Sequence, residues 1–95
     1  MYSIVTPKQF LRQARKFFKK HPDLKPHFTK VLNDLQEDPF QLSLELHALS
    51  GKLEGCHAVS LTHNYRMTLI LLITDQEIIL LDIGSHDEVD QERPT

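Results

Sequence analysis

The stretch 51-GKLEGCHAVSLTHNYRMTLILLITDQEIILLDIGSHDEV-89 decides the fold. Its centre, Thr68-Leu69-Ile70-Leu71-Leu72-Ile73, is an unbroken apolar run, and Ile78-Ile79-Leu80-Leu81-Asp82-Ile83 is nearly as apolar. Runs this short, rich in Ile and Leu and bounded by turn residues, suit strands that are covered on both faces. The stretch therefore predicts three antiparallel strands in two tight hairpins. Each face of that sheet needs a cover.

Working outward toward the N-terminus, one cover is a pair of helices. Tyr2 to Val5 suits a short strand. Thr6-Pro7-Lys8-Gln9 then carries helix-start signals: Thr6 as N-cap, Pro7 at the first helical position and Gln9 completing a capping box. Phe10, Leu11, Ala14, Phe17 and Phe18 recur at helical spacing as one apolar stripe, with Arg12, Arg15, Lys16, Lys19 and Lys20 largely off it. Such a charge run is most simply a solvated face. His21-Pro22-Asp23 breaks this helix. A second begins near Asp23, presents Leu24, Phe28, Val31, Leu32 and Leu35, and ends before Pro39. The short connection predicts an antiparallel helical hairpin, whose stripes cover one face of the sheet. Phe40 to Ser50 reads as a loop or short irregular segment. The fold class is α+β: a short N-terminal strand, a two-helix hairpin, then a three-stranded antiparallel sheet, in one domain spanning residues 1–95.

Hairpin arithmetic places the polar residues. With Asp75-Gln76 as a two-residue turn, Arg66 lies opposite Ser85, one step from His86. With His63-Asn64 as the preceding turn, Arg66 lies opposite Leu61. Both put His63, Asn64, Arg66 and His86 at one end of the sheet. Regular alternation sets Arg66 and His86 on opposite faces, and a bulge or an early exit at Gly84-Ser85 brings them together.

Composition bounds the function. Ninety-five residues with a net charge of −2 make a soluble globular domain with a modest core. There is no apolar run of membrane length and no signal-peptide pattern at MYSIVTPKQF, which predicts a cytoplasmic protein. The single Cys56 excludes an internal disulfide and reads as a packed thiol. The charge is uneven: Lys8 to Leu35 carries eight basic and two acidic residues, and Gln36 onward carries three basic and eleven acidic. One face can attract a polyanion or an acidic partner, whereas a free-standing RNA binder is usually more basic throughout.

An imidazole beside a guanidinium has chemical content. The imidazole can give or take a proton near neutral pH, and the guanidinium can hold a phosphate through two hydrogen bonds. Together they meet the minimum need for breaking an RNA phosphodiester without metal: remove the 2′-hydroxyl proton, stabilise charge on phosphorus, protonate the leaving 5′-oxygen. A lone Arg and a lone His at strand ends are more often plain surface residues, so the pattern alone assigns no reaction. His47, His57 and His63 do not make a zinc site, which needs about four ligands. His21 and His27 cap or flank the helices. Three glycines make no nucleotide-binding loop.

Three motifs carry a resemblance: His47-Ala48-Leu49-Ser50-Gly51-Lys52-Leu53-Glu54-Gly55, then Asn64-Tyr65-Arg66, then Leu81-Asp82-Ile83-Gly84-Ser85-His86-Asp87-Glu88-Val89. In this order and spacing they resemble the toxins of bacterial type II toxin–antitoxin pairs, the RelE/ParE superfamily, and most nearly its YafQ-like branch of mRNA interferases. The resemblance covers nearly the whole chain and implies the RelE-like microbial RNase fold. It implies a ribosomal A-site endoribonuclease that needs neither metal nor small-molecule cofactor. On this resemblance His86 is the general acid or base, and His47 a second acid–base or phosphate-facing group. Arg66 stabilises the phosphate, and Lys52, Asn64 and Tyr65 contact RNA. The implied partners are a cognate antitoxin, the ribosome and messenger RNA, with no membrane.

Two positions depart from the pattern: Asn64 stands where YafQ-like toxins usually carry Asp, and Asp90 where they usually carry an aromatic residue. An amide cannot act as a base, and a carboxylate cannot stack on a nucleobase. The alternative is therefore a ParE-like gyrase inhibitor, or a weakened toxin retaining only antitoxin binding. Both readings expect an antitoxin segment, acidic in part, on the basic helical hairpin and on the second, apolar face of the sheet.

Overall fold

The computed structural model describes residues 1–85. Strand β1 (Ser3–Val5) leads into helix α1 (Lys8–Lys20), a 3-10 turn (Pro22–Leu24) and helix α2 (Lys25–Glu37). A second 3-10 turn (Leu42–Leu44) precedes β2 (His47–Ala48), and a third (Gly51–Leu53) precedes β3 (His57–Ser60). Strands β4 (Tyr65–Leu72) and β5 (Glu77–Ser85) complete the sheet.

The expected three-strand meander is present, with one more strand at each edge. The sheet order is β1-β5-β4-β3-β2. β1 runs parallel to β5 with Ile4 opposite Ile78, and β2 runs antiparallel to β3 with His47 opposite Ala58. β2 is two residues long and sits in the segment expected to be a loop. Two residues are too short for any alternation to be visible in the sequence.

α1 starts on backbone bonds alone. Pro7, extended at φ −61° and ψ 158°, is the N-cap residue, and no side chain caps the helix; Thr6 and Gln9 form no capping box. Proline's fixed φ and lack of an N–H suit this position. Lys19 and Lys20 in the last turn complement the free carbonyls there. The His21 N–H closes the end on the Phe17 carbonyl at 2.9 Å. α2 carries Pro26 in its first turn and stops at Asp38, which is extended before Pro39. The Asp38 carboxylate accepts the Phe40 N–H at 2.9 Å, turning the chain.

The inner face of the sheet and the two helices form the core. Phe10, Leu35, Val59, Met67, Leu69, Ile78 and Leu80 are each essentially without solvent contact. Phe28 of α2 stacks on Phe10 and meets Phe18 edge-on at 5.0 Å, locking the helices to each other. Leu11, expected in the stripe, is 45 % exposed, so the stripe of α1 is narrower than its sequence suggests. The outer face of the sheet is apolar too: Ile70, Leu72, Ile79 and Leu81 are only half-buried, and Val5 is exposed.

The first hairpin register differs by one residue from the two-residue-turn arithmetic; the second differs by two beside its turn and by one at Arg66, beyond a bulge. Arg66 lies opposite Ser60 and Gly84, not Leu61 and Ser85. A two-residue hairpin of the usual kind needs positive φ at its centre, and neither His63-Asn64 nor Asp75 has it. The first loop is instead a turn in which the Thr62 carbonyl accepts the Tyr65 N–H, with both Leu61 and Thr62 N–H directed at the Tyr65 carbonyl. The second is a four-residue connection closed by the Gln76 N–H on the Ile73 carbonyl, with Gln76 left-handed at φ 55°. A bulge then intervenes in β5: Thr68 pairs with Asp82 but Leu69 with Leu80, leaving Leu81 extra. The Asp82 carboxylate accepts the Ile83 N–H at 2.8 Å beside this bulge. The inward side chains of β5 consequently switch from Ile78 and Leu80 to Ile83.

Candidate active site

The chain brings its polar motif residues together on the outer side of the β3–β4 end. A recess of about 80 Å³ is lined by Glu45, His47, Ser60, His63, Asn64 and Arg66, together with Thr62 and Tyr65. The strands do the positioning. β2 sets His47 opposite Ala58, and β3 sets Ser60 opposite Arg66 two residues on. The long Arg66 side chain crosses that diagonal, and its Nη1 donates to His47 Nε2 at 3.1 Å. The other ring nitrogen, Nδ1, lies 3.0 Å from the Glu45 carbonyl.

These two contacts define a tautomer. Guanidinium only donates and a backbone carbonyl only accepts. Nε2 must therefore offer its lone pair to Arg66, and Nδ1 must carry the hydrogen toward Glu45. In this arrangement the neutral ring is oriented, with Nδ1 on the Glu45 carbonyl and Nε2 toward Arg66. Glu45 achieves this at a cost: its φ is 53°, the left-handed region that a residue with a Cβ rarely adopts.

The turn is held from within. Ser60 Oγ donates to the Thr62 carbonyl at 3.0 Å, and the Asn64 N–H donates to Thr62 Oγ1 at 3.3 Å. His63 and Asn64 are exposed at the rim. Tyr65 turns its ring the other way, edge-on to Phe17 at 5.2 Å and tilted on His21 at 4.8 Å.

His47, Asn64, Tyr65 and Arg66, four of the residues singled out from the sequence, thus line one recess. Lys52 is exposed on the third 3-10 turn and does not line it. His86 and Asp90 lie outside the described residues. Glu45 and Ser60 were not foreseen. The role of Glu45 is carried by its carbonyl, so its side-chain identity gives no signal. Among the described residues no group of three metal-ligating side chains comes together. His57 stands apart in β3, its Nδ1 buried with no hydrogen-bond partner among those residues. No described helix is long and apolar enough to cross a membrane.

A family model described as the bacterial toxin of type II toxin–antitoxin system, YafQ, matches residues 2–91. The chain belongs to this family. The fold agrees: the crystal structure of YafQ from E. coli strain BL21(DE3) superposes with a TM-score of 0.77 at 15 % identity, covering 94 % of this chain and 98 % of that one. A metal-bound toxin from Helicobacter pylori gives 0.71 at 26 % identity, covering 94 % and 99 %. The toxin–antitoxin complex RelBE2 of Mycobacterium tuberculosis gives 0.68 at 15 % identity, covering 90 % and 98 %. No curated protein matches the chain. It is a toxin of the type II toxin–antitoxin kind, and a cognate antitoxin is its partner.

Proposed function

We propose that this toxin is a ribosome-dependent, metal-independent endoribonuclease that cuts messenger RNA in the cytoplasm. The observation that carries the reading is the oriented pair of His47 and Arg66, with Nε2 of a neutral imidazole 3.1 Å from a guanidinium nitrogen. Cleavage needs a base for the 2′-hydroxyl, a cation for the phosphorane and an acid for the 5′-oxygen. A guanidinium carries five N–H donors, and a scissile phosphate engages two of them bidentately. Turning the guanidinium toward that phosphate frees Nε2 to take the 2′-hydroxyl proton. His86 follows Ser85 directly in the chain, and Ser85 pairs with Tyr65 of the recess. His86 is assigned the proton delivered to the leaving oxygen, and Asn64 and Tyr65 contact the nucleotides. Lys52 contacts the backbone further out.

At about 80 Å³ the recess is smaller than the roughly 300 Å³ at which small-ligand pockets begin. It suits a phosphate and its two ester oxygens, with the bases left outside the recess itself. That fits a substrate presented by the ribosome, which supplies the geometry. The antitoxin covers the half-buried apolar outer face at Ile70, Leu72, Ile79 and Leu81.

The test is cleavage of a translated reporter message in a cell-free system, mapped by primer extension. Cuts that need translating ribosomes support the reading. A folded protein that makes none, with Asn64 and Asp90 in place of the family's usual residues, overturns it for an inhibitor of gyrase or a toxin that only binds its antitoxin.

A further inference from the structure

Three hollows on the described surface share residues. The first is a groove of about 490 Å³ along α1, lined by Arg12, Arg15, Lys16, Phe18, Lys19 and Lys25. The second, about 500 Å³, lies where α1 meets the end of β4 and β5, and Lys16 lines it too, with Lys20, His21, Tyr65 and Ser85. The third is the His47–Arg66 recess, which Tyr65 also lines. Lys16 therefore joins the first hollow to the second, and Tyr65 the second to the third.

The chemistry along this path is uneven in one direction. No carboxylate lines the first hollow. Arg12, Arg15, Lys16 and Lys19 recur at helical spacing, so like charges stand as neighbours on one stripe, which disfavours the free helix. Lys30 of α2 pairs with Asp34 at 2.9 Å, but among the described residues the α1 cations have no such partner. Among the described residues Asp82 is the one acid lining the second hollow, and its Oδ1 accepts the Ile83 N–H. Aromatic surface is interleaved with the charge: Phe18 in the first hollow, His21 against Tyr65 in the second. Cations that track a backbone, alternating with rings on which bases stack, are how proteins hold single-stranded nucleic acid. An acidic peptide would use the cations but not the rings, nor the continuity with a phosphate-cutting site.

We propose that the three hollows form one track for a single RNA strand: the message being cut continues from the His47–Arg66 recess past Tyr65 and His21 onto the cationic stripe of α1. This rests on the endoribonuclease reading and adds a binding surface that the reaction itself does not require. Lys16 and Lys20 hold phosphates, and Tyr65 marks where the strand passes the end of the sheet.

The test uses the full chain and 2′-O-methyl RNA of graded length, which lacks the attacking hydroxyl, with binding followed by fluorescence anisotropy over a range of salt. Affinity should rise with length until the track is filled. Lys16→Gln and Lys20→Gln should each abolish part of that rise and lower the slope of log affinity against log salt by about 0.7. Lys30→Gln, off the track, should change neither. All three are surface substitutions, and circular dichroism checks that each variant is folded. Length-independent binding, or equal effects of the three variants, would overturn the track. So would a polyglutamate peptide competing as well as RNA of equal charge. The cell-free cleavage assay separates the two levels: cleavage with binding unaffected by α1 overturns the track alone, whereas neither binding nor cleavage overturns the endoribonuclease reading as well.

Discussion

Arg66 Nη1 stands 3.1 Å from His47 Nε2, although nineteen residues separate the two in the chain. Three strands create the contact: β2 carries the histidine, β4 the arginine, and β3 sets the diagonal between them. The contact fixes a hydrogen position that can be observed. The ring nitrogens of His47 in a ¹⁵N spectrum of the neutral ring should show the hydrogen on Nδ1. Arg66→Ala should let the two tautomers mix, while the Glu45 carbonyl retains some preference. A wild-type ring protonated at Nε2 would sink the orientation argued for catalysis.

Two non-glycine residues, Glu45 at φ 53° and Gln76 at φ 55°, sit in left-handed backbone. A Cβ there costs roughly 1–2 kcal/mol relative to the right-handed well. Gln76→Gly should therefore raise the free energy of unfolding by about 1 kcal/mol, read as a shift in the denaturant midpoint. Glu45→Gly should give a similar gain. It should also loosen His47, since glycine holds no single conformation. A loss of stability on both substitutions would mean the side chains make contacts worth more than the strain.

The core offers a calibrated contrast. Leu80 is fully buried between the sheet and the helices, and Leu42 is 93 % exposed. Leu80→Ala should cost about 2–5 kcal/mol, a large share of the roughly 5–15 kcal/mol that holds a domain of this size together. Leu42→Ala should stay within about 0.5 kcal/mol of wild type. Equal effects in chemical denaturation would show that the burial pattern is wrong.

Much of this was legible in the residues, and the parts that were not have specific causes. The apolar runs from Thr68 and Ile78 marked β4 and β5 because both faces of these strands are apolar, the buried inner one and the half-buried outer one. The stripe of Phe10, Ala14 and Phe17 marked α1 for the matching reason on one face. The register could not be read, because Leu81 is bulged out and is chemically the same as its paired neighbour Leu80. The first turn added one residue and the second two, through backbone hydrogen bonds at Thr62 and Ile73 that leave no trace in composition. In the site, His63, Asn64 and Arg66 were placed at one strand end by the hairpin arithmetic, and Tyr65 and His47 by their motifs. Their meeting depends on β2, whose two residues carry no periodic signal. Glu45 contributes a carbonyl, which every residue has.

The roles assigned to Arg66 and His86 separate in a single-turnover cleavage assay on programmed ribosomes. Lysine keeps the charge of arginine but not its planar fork. Arg66→Lys should therefore lose most of the effect that bidentate phosphate contact gives, about 10²-fold if it removes one stabilising donor from the transition state. It should also free His47 Nε2, so the ¹⁵N signature of the histidine should change in the same variant. His86→Ala removes a proton donor and should cost about 10²–10⁴-fold, with no change at His47. If Arg66→Lys cleaves as fast as wild type while the His47 tautomer shifts, Arg66 orients the histidine and does not touch the phosphate. A fully active His86→Ala would return the acid role to another group, and His63 at the rim of the recess would be the next to replace.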